Sequence, residues 1–200
     1  MKNNDNRILV ILDLDETLIH ATKKPLFPDW QIELEEYKIF KRPHLDSFLA
    51  YIKTAFKVAV WSSASDDYVH EVVKHIFPKD YPLVFVWGRS KCTLQYDYQN
   101  IDDLGYSDYF NHLNYAKILK KVKKSGFSTL EKTLIIDDTP RKAKYNYGNA
   151  IYPKEFNGDP KDVELDLLIK YLESIKEIDN VRTIEKRSWR DIVLKKNKPV

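Results

Sequence analysis

A chain of 200 residues with hydrophobic types at 43% is long enough to bury roughly 70% of its unfolded surface, and we read residues 1–200 as one domain. The balance of 33 Lys and Arg against 30 Asp and Glu leaves a formal charge of only +3, which excludes charge-driven disorder and makes nucleic acid an unlikely partner. The longest apolar runs, Ile8–Leu12 and Leu83–Trp87, fall far short of the roughly 20 residues of a membrane span; Met1–Arg7 carries no secretory or Arg-rich signal, and the lone Cys92 forbids an intrachain disulfide or a Cys-built zinc site, so a cytoplasmic, membrane-free setting is expected.

Arg7–Leu12 is a polar start, a branched apolar run and an acidic stop, the pattern of a parallel strand buried on both faces. Residues Ala21–Lys41, where Trp30, Ile32 and Leu34 alternate with Gln31, Glu33 and Glu35, predict a small hairpin flap at that strand's exit. Pro43–Phe56 opens with proline at a first helical position and sets Leu45, Phe48, Leu49 and Ile52 on one face. Lys57–Ser62 is a second strand. Ser65 caps a second helix, with Asp66 and Asp67 in its first turn, which ends near Phe77-Pro78. Leu83–Trp87 is a third strand.

Residues Thr93–Leu113 carry Tyr96, Tyr98, Tyr106 and Tyr109 beside Asp97, Asp102, Asp103 and Asp108. A segment of that length predicts an insertion acting as a lid or extra subdomain. Asn114–Lys124 predicts a third helix, apolar at Ile118, Leu119 and Val122; Thr133–Ile136 is a fourth strand and Pro160–Ile175 a further helix. Strands alternating with helices require right-handed crossovers, hence an α/β fold with a mostly parallel central sheet and helices on both faces.

Two strands end in acid. The first runs into Asp13-Leu-Asp-Glu-Thr-Leu18 and the fourth into Asp137-Asp138, and in open parallel sheets ligands bind outside the carboxyl ends of the strands. Neighbouring strands would converge these carboxylates on one small volume, where an all-oxygen donor set suits Mg²⁺. By chance Asp-x-Asp-x-Thr arises in roughly one chain of this length in 30; a buried strand before it and a second acidic strand end make coincidence far rarer.

Taken together these segments resemble the haloacid dehalogenase (HAD) superfamily of aspartate-nucleophile phosphotransferases. Within it the chain is similar, from Ile8 to about Thr183, to the FCP/SCP group of NLI-interacting-factor-like phosphatases. Asp13–Leu18 matches that group's first motif, and Arg42-Pro43 its Arg-Pro segment. Val60-Trp-Ser-Ser-Ala64 resembles the second motif, with Ser62 rather than Ser63 favoured by strand alternation. Arg89 matches an arginine used at the phosphate, Lys117 the third-motif lysine, and Ile135–Pro140 the fourth motif, with Asp138 where the group commonly has asparagine.

The resemblance implies a HAD-like Rossmannoid fold and a Mg²⁺-dependent phosphomonoester hydrolase working through an aspartyl-phosphate. Asp13 is then the nucleophile and Asp15 the general acid and base. Asp13, Asp138 and the Asp15 carbonyl hold the metal, with Asp137 orienting the ligands. Ser62, Arg89 and Lys117 bind the phosphate, and Thr17 pins the turn. The expected substrate is a phosphoserine or phosphothreonine protein or peptide; a small-molecule or polynucleotide-end phosphatase is the alternative. A noncatalytic binding module is disfavoured, since Asp13 and Asp15 are both intact. The natural substrate and oligomeric state stay open. The five histidines lack ligand spacing and are read as ordinary surface or boundary residues, and Cys92 as a buried small side chain.

Overall fold

The computed structural model describes residues 5–25, 28–96 and 113–196. In chain order it holds β1 (Leu9–Leu12), β2 (Ile19–Thr22), β3 (Ile32–Leu34), β4 (Tyr37–Lys41), α1 (Leu45–Ala55), β5 (Lys57–Trp61), α2 (Asp66–Ile76), β6 (Leu83–Trp87), β7 (Thr93–Tyr96), β8 (Leu113–Ala116), α3 (Lys120–Lys124), β9 (Thr133–Ile136), β10 (Ala150–Ile151), α4 (Glu164–Ile175) and α5 (Trp189–Lys196). Five strands form a parallel sheet in the order β10-β9-β1-β5-β6. All four residues of β1 and of β9 are buried, as uninterrupted apolar strands between two layers must be.

Alternate residues of these strands feed two cores. Val10, Leu12, Val58, Val60, Leu134 and Ile136 pack toward α1, α2, α4 and α5. Leu9, Ile11, Ala59, Trp61 and Ile135 face the other way, with Phe85 of β6, and pack with Leu119 and Val122 of the short α3 region. Helices therefore cover both faces, unequally. Among the described residues no helix is long and apolar enough to cross a membrane.

The region after β1 is larger than a hairpin: β2 joins it, giving a three-stranded antiparallel sheet in the order β2-β4-β3. The helix expected over Asn114–Lys124 is corrected. Its first part is β8, antiparallel to β7 with Thr93 opposite Ala116 and Gln95 opposite Asn114, and only Lys120–Lys124 is helical. Pairing with a distant partner overrides the local helical spacing. The expected insertion is thus rooted in a β7–β8 pair. Its central residues, 97–112, with Tyr98, Tyr106 and Tyr109, lie outside the described residues, as does the reading of them as a lid or subdomain.

Candidate active site

Because β9, β1 and β5 are adjacent and parallel, their carboxyl ends bring Asp137, Asp13 and Ser62 to one crevice. Asp13, Asp137 and Lys117 are buried. The Lys117 ammonium lies between the two carboxylates, 2.8 Å from Asp13 Oδ1 and 2.7 Å from Asp137 Oδ2. Asp13 Oδ1 also accepts the Leu14 amide at 2.9 Å, while Asp13 Oδ2 accepts from Lys142 Nζ at 3.1 Å.

Burial opposes ionisation of Asp13, yet the Lys117 and Lys142 ammoniums outweigh it and hold its carboxyl below the usual carboxylate range. Burial likewise disfavours charge on Lys117, but Asp13 and Asp137 overcome it and raise that lysine. Burial first, and the Asp13 charge second, push Asp137 up to about 6.

Asp15 behaves oppositely to Asp13. Burial raises its carboxyl, against a hydrogen bond from Tyr68 that favours the charged form. The Tyr68 hydroxyl donates to Asp15 Oδ1 at 2.7 Å, and Ser62 Oγ stands 3.4 Å from Oδ2. Burial and the Asp15 charge raise the phenol itself, so it remains a donor. Two carboxylates whose environments drive them apart are suited to different roles.

The backbone at this exit is tight. Glu16 takes a φ of 61°, a left-handed conformation costly for a residue with a Cβ. It is held by the Glu16 amide on the Ile19 carbonyl at 2.7 Å and the Leu18 amide on the Leu14 carbonyl at 2.8 Å. His20 pairs with Glu16 at 2.8 Å, in keeping with an ordinary boundary histidine. Buried Thr17 reaches across to β9's exit, donating to Asp138 Oδ1 at 2.9 Å and accepting the Asp138 amide at 3.1 Å.

Carboxylate oxygens of Asp13, Asp137 and Asp138 lie within 4.8 Å of one another. These hard oxygen donors fit Mg²⁺. Asp137 already gives one oxygen to Lys117 and the other to the Thr139 amide at 2.9 Å, an arrangement that orients its neighbours. Ser62 rather than Ser63 faces the site: it is buried, and its Oγ accepts the Ala64 amide at 3.1 Å.

Arg89 stands apart from the carboxylates. Its Nε donates to the Ser63 carbonyl at 2.9 Å and its guanidinium lies 5.0 Å from the Tyr115 ring centre. It is exposed at the rim of an open cavity of roughly 730 Å³ that Asp15, Leu34, Tyr37 and Tyr68 also line. Gly88 permits this placement. A Cβ there would sit 2.8 Å from Asp66 Cα and closer still to its carboxylate, so only glycine lets the end of β6 pass the first turn of α2.

Three contributors went unread in the sequence. They are Lys142 on Asp13, Tyr68 on Asp15, and Asn146. Asn146 donates to the Lys117 carbonyl and accepts the Leu119 amide at 3.0 Å, fixing the bend that carries Lys117. Arg42 was noticed only as part of a dipeptide. It is buried, gripping Asp162 with two hydrogen bonds of 2.8 Å and reaching the carbonyls of Thr17 at 2.9 Å and Lys154 at 2.8 Å. Cys92 is buried, and burial raises its thiol.

The family model described as NLI interacting factor-like phosphatase matches residues 8–182. The nuclear envelope morphology protein 1 of Saccharomyces cerevisiae is 27% identical over 91% of this chain and 42% of its own length. The human carboxy-terminal domain RNA polymerase II polypeptide A small phosphatase 1 is 26% identical over 90% of this chain and 64% of its own. This chain thus spans less than two thirds of either relative. The solved structure of Fcp1, an essential RNA polymerase II CTD phosphatase, superposes with a TM-score of 0.53 at 19% identity, covering 96% of this chain and 50% of that one, which agrees with a HAD-like fold.

Proposed function

The chain belongs to the NLI interacting factor-like phosphatase family, and from that premise we propose that it hydrolyses phosphate monoesters through an aspartyl-phosphate on Asp13, with phosphoserine or phosphothreonine in protein as substrate. The observation that carries the reading is the contrast within one turn: Asp13 is buried between two ammoniums and held ionised, while burial raises Asp15 two residues on. In-line phosphoryl transfer needs that pair, a nucleophile and a proton donor on the leaving side.

The Asp13 carboxylate attacks phosphorus. As the new Asp13–phosphorus bond forms, the bond to the substrate oxygen breaks, and Asp15 gives its proton to the departing alkoxide. Asp15, now ionised, takes a proton from the water that attacks the phospho-aspartate and releases phosphate. Lys117 offsets the negative charge shared by Asp13 and the phosphoryl group, and the Ser62 hydroxyl donates to a phosphoryl oxygen. Tyr68 is a positioning residue that orients Asp15. Asp13, Asp138 and the Asp15 carbonyl would hold Mg²⁺, with Asp137 and Thr17 fixing the ligands, and an ion held there would supply positive charge against the phosphoryl oxygens. Arg89 on the cavity rim meets a phosphate or the residue beside it. The cavity next to Asp15, walled by Tyr37 and Tyr68, is roomy enough for a side chain flanking a phosphorylated residue, and this favours peptide over small-molecule substrates.

The test is hydrolysis of an aryl phosphate and of a panel of phosphopeptides, nucleotides and sugar phosphates. EDTA abolishes turnover, Mg²⁺ restores it and Ca²⁺ restores it poorly, because its longer bonds and higher coordination number misplace the carboxylates. Asp13→Asn forms no phospho-enzyme in a single turnover. Asp15→Asn forms it from activated aryl esters and hydrolyses it slowly. Full turnover without metal, or phosphate trapped on Asp13→Asn, refutes the mechanism.

A further inference from the structure

The cavity beside Asp15 carries a charge of its own. Besides Asp15, four carboxylates line it, those of Glu16, Glu35, Asp67 and Glu71, against the single guanidinium of Arg89. In a chain whose formal charge is +3, this hollow is locally acidic. Arg89 pairs with none of the four, since its Nε donates to the Ser63 carbonyl. Glu16 is paired with His20 and Glu71 with Lys74, each at 2.8 Å. Glu35 and Asp67 are exposed and make no ion pair among the described residues. They come from separate elements, Glu35 from the turn between β3 and β4 and Asp67 from the first turn of α2. Asp67 also offsets the positive end of the α2 dipole. Glu35 has no such duty, and it takes a φ of 50° where glycine or asparagine would serve the turn better.

The rest of the lining suits one kind of occupant. Leu34 and the rings of Tyr37 and Tyr68 offer apolar surface, and the exposed carboxylates offer charge. Lysine and arginine are the side chains that join a long apolar stem to a cationic head. The same corner of the fold already holds one: Lys23 Nζ lies 5.2 Å from the centre of the Tyr37 ring and pairs with Glu36. A ring and a carboxylate thus cradle an ammonium one residue away from Glu35. An acidic side chain meets like charge in the cavity, and so does the second phosphate of a polyphosphate.

We propose that this cavity selects substrates with a lysine or arginine close to the phosphorylated serine or threonine, and that Glu35 and Asp67 determine that specificity. The inference rests on the phosphatase reading. A phosphoryl group docked at Asp13 and Asp15 puts the phosphorylated residue at the Asp15 end of the cavity. A neighbour within about two residues, roughly 7 Å of extended chain, then lies along Tyr37 and Tyr68.

The experiment measures kcat/KM of the full chain in Mg²⁺ on phosphoserine peptides that differ only in the flanking residues, which are lysine, alanine or glutamate. An aryl phosphate, with no flanking residue, is the control. The lysine peptide is preferred over the glutamate peptide roughly tenfold or more, chiefly through KM, and the preference shrinks as NaCl is raised. Glu35→Gln combined with Asp67→Asn reduces the preference to within about threefold and leaves aryl phosphate turnover within about twofold of the parent. Equal rates on all the peptides, a preference for alanine or glutamate, or a lysine preference that survives in the double variant overturns the proposal.

Should thermal denaturation show the double variant to be unfolded, Glu35→Gln alone, altered only at an exposed turn, decides in its place. It lowers the lysine preference at least about twofold under the proposal, and an unchanged preference overturns it. Aryl phosphate turnover by the parent that is lost in Asp13→Asn upholds the phosphatase reading whatever the peptides show. A parent chain that hydrolyses neither peptide nor aryl phosphate overturns both.

Discussion

Replacing Arg42 with methionine keeps most of the buried side-chain volume and removes every polar contact of the guanidinium. Arg42 has no side-chain exposure, and its partner Asp162 has 16%. The mutation leaves Asp162 with the Glu164 amide at 2.9 Å and some water, so the stranded charge costs about 3 kcal/mol, the lower end for breaking a buried pair. The Thr17 and Lys154 carbonyls lose their donor, adding about 1 kcal/mol each. A total of about 5 kcal/mol lowers the melting temperature by about 10–20 °C for a chain of this size.

The pH dependence has a definite sign. Burial raises the Asp162 carboxyl, but the Arg42 hydrogen bonds and the Glu164 amide prevail and its pKa is lowered on folding. A depressed folded pKa stabilises above the unfolded value of about 3.9, and that contribution is lost as pH falls through the folded pKa. Urea denaturation from about pH 7 down to about pH 3.5 therefore shows a full gap between parent and variant at neutral pH that narrows below about pH 4. A loss under about 1 kcal/mol, or a gap constant over the whole range, refutes the reasoning.

Thr17→Val removes both hydrogen bonds to Asp138 and weakens Mg²⁺ binding roughly 10- to 100-fold in calorimetry; unchanged affinity shows that Asp138 needs no such anchor. Tyr68→Phe keeps the edge-on packing against Tyr37, with ring centres 6.2 Å apart, and loses the donor to Asp15. Its kcat falls roughly tenfold with KM within about twofold, and a KM-only effect would place Tyr68 against substrate instead. Gly88→Ala drives a methyl into the Asp66 backbone at 2.8 Å and destabilises the fold by about 1–3 kcal/mol in urea; a neutral result means α2 shifts at no cost.

How much was legible follows from how far apart the interacting groups lie in the chain. Leu9–Leu12, Lys57–Trp61 and Thr133–Ile136 announce themselves because buried parallel strands must be continuously apolar. Asp13, Asp15 and Asp138 are legible because each follows such a strand. Ser62 was separable from Ser63 by alternation alone. The rest depends on contacts that local pattern does not encode. Lys142 lies 129 residues from Asp13, Arg42 lies 120 from Asp162, and Tyr68 lies 53 from Asp15. The segment Leu113–Ala116 fails for the same reason: its helical spacing is local, whereas the β7 edge that claims it is contributed by Thr93–Tyr96.

The closed Asp13–Lys117–Asp137 triad has a cost felt beyond chemistry. Folding must strip water from three charges at the carboxyl ends of β1 and β9, and apolar residues of matching volume commonly outperform such triads thermodynamically. The stability that tolerates them comes from the apolar layer of α1, α2, α4 and α5 beneath the same strands. Selection for heat resistance alone would therefore drift toward replacing these three side chains and silence the protein while hardening it. Efforts to make the chain more robust belong in the helical layer, with the triad held fixed.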